Sequence, residues 1–188
     1  MGKNNRRKIP KPKKNDKAQS VRIGRENQTL RSEGLVFDLS FEYLFCLVND
    51  KDFYNQCKNE SHFVDSLMLL HQTISKLSGK STKELFASQH YRHCHLIGQD
   101  KRDLVVRLIQ KAARNGGHPE AVRLTDHLLG DEDIYQVGIE KGTRIIGIIG
   151  QSGIFTVLLL DFHHKLYSNE TKNRLKQNHC KYTPSCPD

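Results

Sequence analysis

The sequence predicts an α+β fold: an N-terminal strand, three to four helices and a C-terminal three-stranded antiparallel meander, preceded by a disordered basic tail. Three observations predict it. Apolar residues step by three and four through 61–79 and 101–115, the period of helices with one buried face. From residue 133 the period falls towards two, and apolar runs are separated by turn residues. Charge is segregated, because residues 1–33 hold eleven of the 30 Lys and Arg against three acids, so +8 of the formal +9 lies in the tail.

The tail, MGKNNRRKIPKPKKNDKAQSVR, has two prolines and almost no large apolar groups, too little to offset the entropy of ordering it. It is expected to be disordered when free. Lys3, Arg6, Arg7, Lys8, Lys11, Lys13, Lys14 and Lys17 would attract a polyanion through counterion release, which makes RNA or the ribosome the expected partner. A solubilising tail accounts for the same charge.

In GLVFDLSFEYLFCLV (34–48), polar and apolar residues interleave as in a strand, and the continuous apolar run from Tyr43 to Val48 allows passage into a helix. Phe63, Leu67, Leu70, Ile74 and Leu77 then share one helix face, with Ser61 as expected N-cap and Gly79 as stop. Ser81 and Glu84 have capping-box spacing for a short helix over 82–88. Leu104, Val105, Leu108, Ile109 and Ala112 face inward from a helix over 101–115, with Lys101, Arg102, Lys111 and Arg114 on its basic, solvated side. Pro119 suits the first turn of a helix over 119–129 that turns Val122 and Leu128 or Leu129 inward and stops at Gly130. DIYQVGI, TRIIGIIG and IFTVLLLDF are three strands, the last two joined by a hairpin at Gln151, Ser152 and Gly153. Their nearly unbroken apolar character calls for helices over at least one face of the sheet.

A chain of 188 residues can bury one core, so residues 34–167 read as a single domain and 168–188 as a polar C-terminal tail. No apolar run approaches the roughly 18 residues of a membrane span, and no apolar block follows the N-terminal charges as in a secretory signal. The cysteines Cys46, Cys57, Cys94, Cys180 and Cys186 are odd in number and scattered, which indicates neither a disulfide framework nor a common zinc site, so a cytoplasmic protein with reduced thiols is expected.

Two places concentrate chemistry. HYRHCH (90–95) sets His90, Arg92, His93 and His95 close together, a pattern open to a metal site, to acid and base groups, to an RNA-contacting surface or to an incidental cluster. At the end of the last strand, Asp161, His163, Lys165 and Tyr167 alternate and would project on one face if the strand persists. They also suit a charged, protected sheet edge. Arg144, which opens the preceding strand, would lie beside them once the hairpin closes. No spaced carboxylate cluster for magnesium and no GxxxxGK[ST] phosphate loop occurs, so no metal or other cofactor is expected.

YQVGI followed by GTRIIGIIGQSGIFTVLLLDFHHKLY, with VFDLSFEYL and YRHCHLI upstream, resembles a group of small bacterial and phage-encoded proteins over residues 36–167. Phe155 keeps that pattern's aromatic after the turn, whereas Thr156 and Leu158 depart from its aromatic-rich strand. More distantly, the arginine-led hairpin after helices looks like RelE-like mRNA interferase toxins. That resemblance implies an RNA-directed toxin, a metal-independent endoribonuclease of a toxin–antitoxin or phage-defence system with a possible antitoxin partner. Arg92 and Arg144 would then clamp phosphate, His93, His95 or His163 would carry protons, and Lys165 and Tyr167 would add contacts. The alternative is a non-catalytic adaptor that binds nucleic acid through the tail and docks a protein through its body.

Overall fold

A computed structural model of the chain describes residues 34–46, 50, 53–150, 153–167 and 182. The basic tail and its eight candidate nucleic-acid contacts lie outside the described residues, as does most of 168–188. The elements run β1 (Val36–Asp38), α1 (Glu60–Leu77), α2 (Thr82–Ala87), β2 (His95–Leu96), α3 (Gln99–Asn115), α4 (Ala121–Leu129), β3 (Ile134–Val137), β4 (Arg144–Ile149) and β5 (Ile154–Asp161), with a 3₁₀ turn at Gln89–Tyr91. The fold is α+β, and the meander β3–β4–β5 is the centre of a five-stranded sheet of order β1-β5-β4-β3-β2. β1 adds in parallel beside β5, and β2 pairs antiparallel with β3.

The helices follow from their caps and apolar faces. α1 starts at Asn59, two residues before the expected Ser61, because the Asn59 side chain accepts the His62 amide hydrogen at 2.9 Å. It ends before Gly79, whose φ of +78° lies in the left-handed region that glycine enters freely. Ser81 caps α2 through the Glu84 amide at 3.1 Å. α3 begins at Gln99 rather than 101, and α4 starts after Pro119 and Glu120. Along α4 the buried positions are Ala121, Thr125 and Leu129, whereas Val122, expected inward, is exposed.

The expected first strand is reduced to β1. Residues 42–46 form turns in which the Leu44 and Cys46 amides donate to the Phe41 and Tyr43 carbonyls, so the chain does not pass into a helix there. Cys46 is disulfide-bonded, where the scattered cysteines had indicated no disulfide framework; Cys57 and Cys94 are buried thiols. Single scattered cysteines carry no spacing that would reveal such a bond.

Both sheet faces are covered. Alternation in β4 sends Ile145 to a cluster with Leu70, Leu77 and Leu85 of α1 and α2, and Ile146 to one with Val105, Leu108 and Leu129 of α3 and α4. In β5 the alternation slips. Ile146 pairs with Leu159 but Gly147 with Val157, so Leu158 is the extra residue of a bulge, and Leu158 and Leu159 both join the α3/α4 cluster. Gly147 makes the bulge possible, since a Cβ there would collide with the Thr156 carbonyl and the Phe155 ring. Beyond the bulge, Asp161 pairs with Arg144 on the α3/α4 face. Among the described residues no helix is long and apolar enough to cross a membrane.

Candidate functional site

Where β3 ends, β4 begins and β5 ends, polar groups from four segments surround a cavity of about 220 Å³. Arg144 and Asp161 form its inner wall, Gln136 and His95 one side, and His93, His164 and Tyr167 its mouth. Strand register accounts for part of this, because His95 pairs with Gln136 across β2–β3 and Arg144 with Asp161 across β4–β5.

Arg144 is 6% exposed. Its Nη1 donates to the carbonyls of Ile139 at 2.5 Å and Gly142 at 2.8 Å, which fixes the plane of the guanidinium. Gly138 leaves the space for it, as a Cβ at that position would sit 2.8 Å from Arg144 Cδ. Burial pulls the Arg144 pKa down while Asp161 and Cys94 oppose, and a guanidinium so placed stays cationic. Among the described residues Nε and Nη2 have no hydrogen-bond acceptor, so the cation keeps donors for an anion in the cavity.

Asp161 serves the backbone. Its carboxylate accepts from the amides of His163 at 3.2 Å, Lys165 at 2.8 Å and Leu166 at 2.9 Å, closing a turn immediately after β5. Within that turn His164 adopts φ 56°, a left-handed conformation uncommon for a residue with a Cβ, and its ring comes to the cavity mouth. Partial desolvation at the cavity mouth first, although the residue as a whole is exposed, and then the Arg144 guanidinium, push the His164 imidazole below its usual pKa, with Asp161 and the Gly142 carbonyl opposing. His93 is lowered in the same way, by burial and then by Arg144, Arg92 and His164, with Glu140 opposing. Both rings therefore feel the Arg144 cation, and His93 also feels His164.

His95 is held in a single tautomer. Its Nδ1 faces the Leu96 carbonyl at 3.1 Å, an acceptor only, so that nitrogen carries the hydrogen. Nε2 then accepts from Gln136 Nε2 at 3.1 Å, and the same amide nitrogen donates to the His93 carbonyl at 3.4 Å. With both nitrogens hydrogen-bonded within the protein, the His95 ring is held in place as one wall of the cavity. Tyr167 packs edge-on against it at 5.1 Å between centroids, and burial raises the phenol's pKa, so it is a neutral hydroxyl.

The family described as Uncharacterised protein UU032 matches residues 40–187. The chain belongs to that family. The matched span contains every residue around the cavity, while the basic tail of this UU032 member lies outside it. The family description states no activity, and no curated protein and no solved structure matches the chain.

Of the seven catalytic candidates, His93, His95, Arg144 and Tyr167 meet around the cavity. Arg92 is exposed, ion-paired with Glu140 at 2.9 Å, and lines an adjoining hollow that also touches His93. His163 and Lys165 are not brought to the site. His163 donates through Nε2 to the Gln56 carbonyl at 2.6 Å and packs on Tyr54, and the buried Lys165 ammonium sits 4.5 Å from the Tyr54 ring centre. The reason is that the strand ends at Asp161, so the alternation that grouped 161, 163, 165 and 167 stops there and the turn presents His164 instead. His164 and Gln136 were not singled out by the sequence, and an Asp followed by a tight turn was the available signal for the first. On α3, Arg102 is not free surface charge, since it donates to the Glu132 and Gly130 carbonyls beyond α4. Among the described residues no group of three His, Cys, Asp or Glu is arranged to hold a metal ion.

Proposed function

We propose that the cavity binds an RNA phosphodiester and cleaves it through the RNA's own 2′-hydroxyl without a metal ion. The observation that carries this reading is the meeting of two imidazoles, His93 and His164, with one half-satisfied guanidinium, Arg144, around a single cavity. In-line transphosphorylation needs a base, an acid and a cation for the charge growing on phosphorus. The neutral imidazole of the pair takes the 2′-hydroxyl proton as O2′ attacks phosphorus, the protonated one gives its proton to the departing 5′-oxygen, and Arg144 holds the non-bridging oxygens. The products are a 2′,3′-cyclic phosphate and a 5′-hydroxyl. Tyr167 and the oriented His95 supply ring surfaces beside the reacting group, a role compatible with stacking of a base.

The basic tail adds non-specific affinity for RNA or ribosomes in this proposal. The reading places the protein with RNA in the cytoplasm, and the disulfide at Cys46 is the feature that fits an oxidising compartment instead. The test is cleavage of a mixed-sequence RNA in the presence of chelator, with end mapping. Wild type should yield cyclic-phosphate ends, and His93→Gln or His164→Gln should each lower kcat by about a hundredfold to ten-thousandfold. Salt-sensitive RNA binding with no new ends at any pH would sink the enzyme and leave the adaptor.

A further inference from the structure

The adjoining hollow is larger, about 440 Å³, within the range of small-molecule sites. It opens between the 89–93 segment and the 138–140 loop, and His93 belongs to both cavities. A group seated here is thus next to whatever phosphate Arg144 holds. Its lining is polar, with the Tyr91 ring and the Arg92–Glu140 ion pair as its recognition chemistry. In that pair Oε1 of Glu140 is engaged, at 2.9 Å by Arg92 Nη2, and among the described residues Oε2 accepts no hydrogen bond. An acceptor and a donor therefore stand side by side, both well exposed.

We propose that this hollow is a nucleobase subsite that prefers guanine, read by Glu140 with Arg92 beside it. A carboxylate has no hydrogen to give, so it selects for an edge with two adjacent donors. Among the four bases only guanine presents two, N1–H and the 2-amino group, with the O6 acceptor next to them for a guanidinium. Adenine and cytosine offer one amino group beside an acceptor nitrogen, which would face the second carboxylate oxygen with a lone pair. Uracil offers one N–H between two carbonyls. Tyr91 provides a ring surface for the base plane. The proposal rests on the RNA reading of the neighbouring site and names the base that reading leaves open.

The experiment is equilibrium binding of the four nucleoside 3′-monophosphates to the full chain, which needs no turnover. Guanosine 3′-monophosphate should bind about ten- to a hundredfold more tightly than the other three, the discrimination of one bidentate base contact. Glu140→Ala should make the four affinities alike, whereas Arg144→Gln should weaken all four by a common factor. Glu140 is on the surface, so its replacement is a test of recognition rather than of folding. Equal affinities in wild type, guanine preference that survives Glu140→Ala, or no binding of any nucleotide would overturn the subsite. Guanine-selective binding by a protein that never cuts RNA would refute the nuclease and keep the subsite.

Discussion

Replacing Asp161 by Asn keeps the shape of the side chain and removes one acceptor and one charge. Oδ1 accepts two amides, from His163 and Lys165, and Oδ2 accepts one, from Leu166. If the amide oxygen takes the Oδ1 position, the new NH₂ faces the Leu166 N–H, and a residue only 1% exposed is left with an unsatisfied donor, which costs about 1–3 kcal/mol. The two surviving bonds lose their ionic character, worth about 1 kcal/mol each. Arg144 also loses the charge that opposes its desolvation. The sum is about 3–5 kcal/mol, a large part of the roughly 5–15 kcal/mol of a typical domain. The flipped amide is no escape, because it orphans two amides instead of one. Urea unfolding at neutral pH measures this directly, through a lower midpoint at unchanged slope. A loss below about 1 kcal/mol would mean that the carboxylate does not hold the turn, and the account of how His164 reaches the cavity would fall with it.

Three further outcomes follow from the same contacts. Because burial and Arg144 push both His93 and His164 below 6.5, the one-proton form of the pair is populated on the acid side of that value, so kcat/KM for RNA should trace a bell centred below 6.5. A plateau extending above neutrality would exclude them as the acid and base. For stability, His62, His93, His163 and His164 are all lowered, chiefly by burial, from an unfolded value of 6.5. The unfolded chain then binds protons first, so stability is full above that value and is lost as pH falls through it towards the folded pKa values. The thermal midpoint should drop on acidification from 6.5, less steeply in His163→Gln, and a flat midpoint would contradict the partial desolvation of these rings. Finally, Arg102→Ala should cost about 1 kcal/mol by freeing the Glu132 and Gly130 carbonyls, with no change in RNA cleavage; a change in cleavage alone would make it a substrate contact.

Long elements with strong periods were legible in the sequence. α1 and α3 declare themselves through apolar residues three and four apart, and the hairpin of β4 and β5 through Gly153, whose φ of +79° is a turn conformation. β1 was legible as a strand through the alternation within 34–48, but not its short length, and β2 was not legible at all, because two residues are too short for a period and its place is set by pairing with the meander. Site residues divide along the same line. Arg144 beside Asp161 follows from local hairpin closure. Gln136 beside His95 depends on a pairing between strands some forty residues apart, which local pattern does not encode. His164 depends on where β5 stops, and the unbroken run Val157–Leu160 conceals both the bulge and the approaching end.

That bulge ties the core to the chemistry. Before it, the odd residues Phe155 and Val157 of β5 face the α1/α2 cluster, so an uninterrupted strand would send Asp161 to that side too. The extra residue Leu158 reverses the parity and puts Asp161 on the face where Arg144 lies. From there its carboxylate can gather the amides of the turn while opposing a buried guanidinium. Burying two charged groups at a sheet end is a poor way to gain stability, since the desolvation cost of each exceeds what an apolar residue of similar size would incur. The arrangement is better explained by what it exposes. A cation whose plane is fixed by two carbonyls, lining the same cavity as two imidazoles of lowered pKa, needs little reorganisation to meet an anion. A turn held by three amide bonds delivers one of those imidazoles at a fixed place.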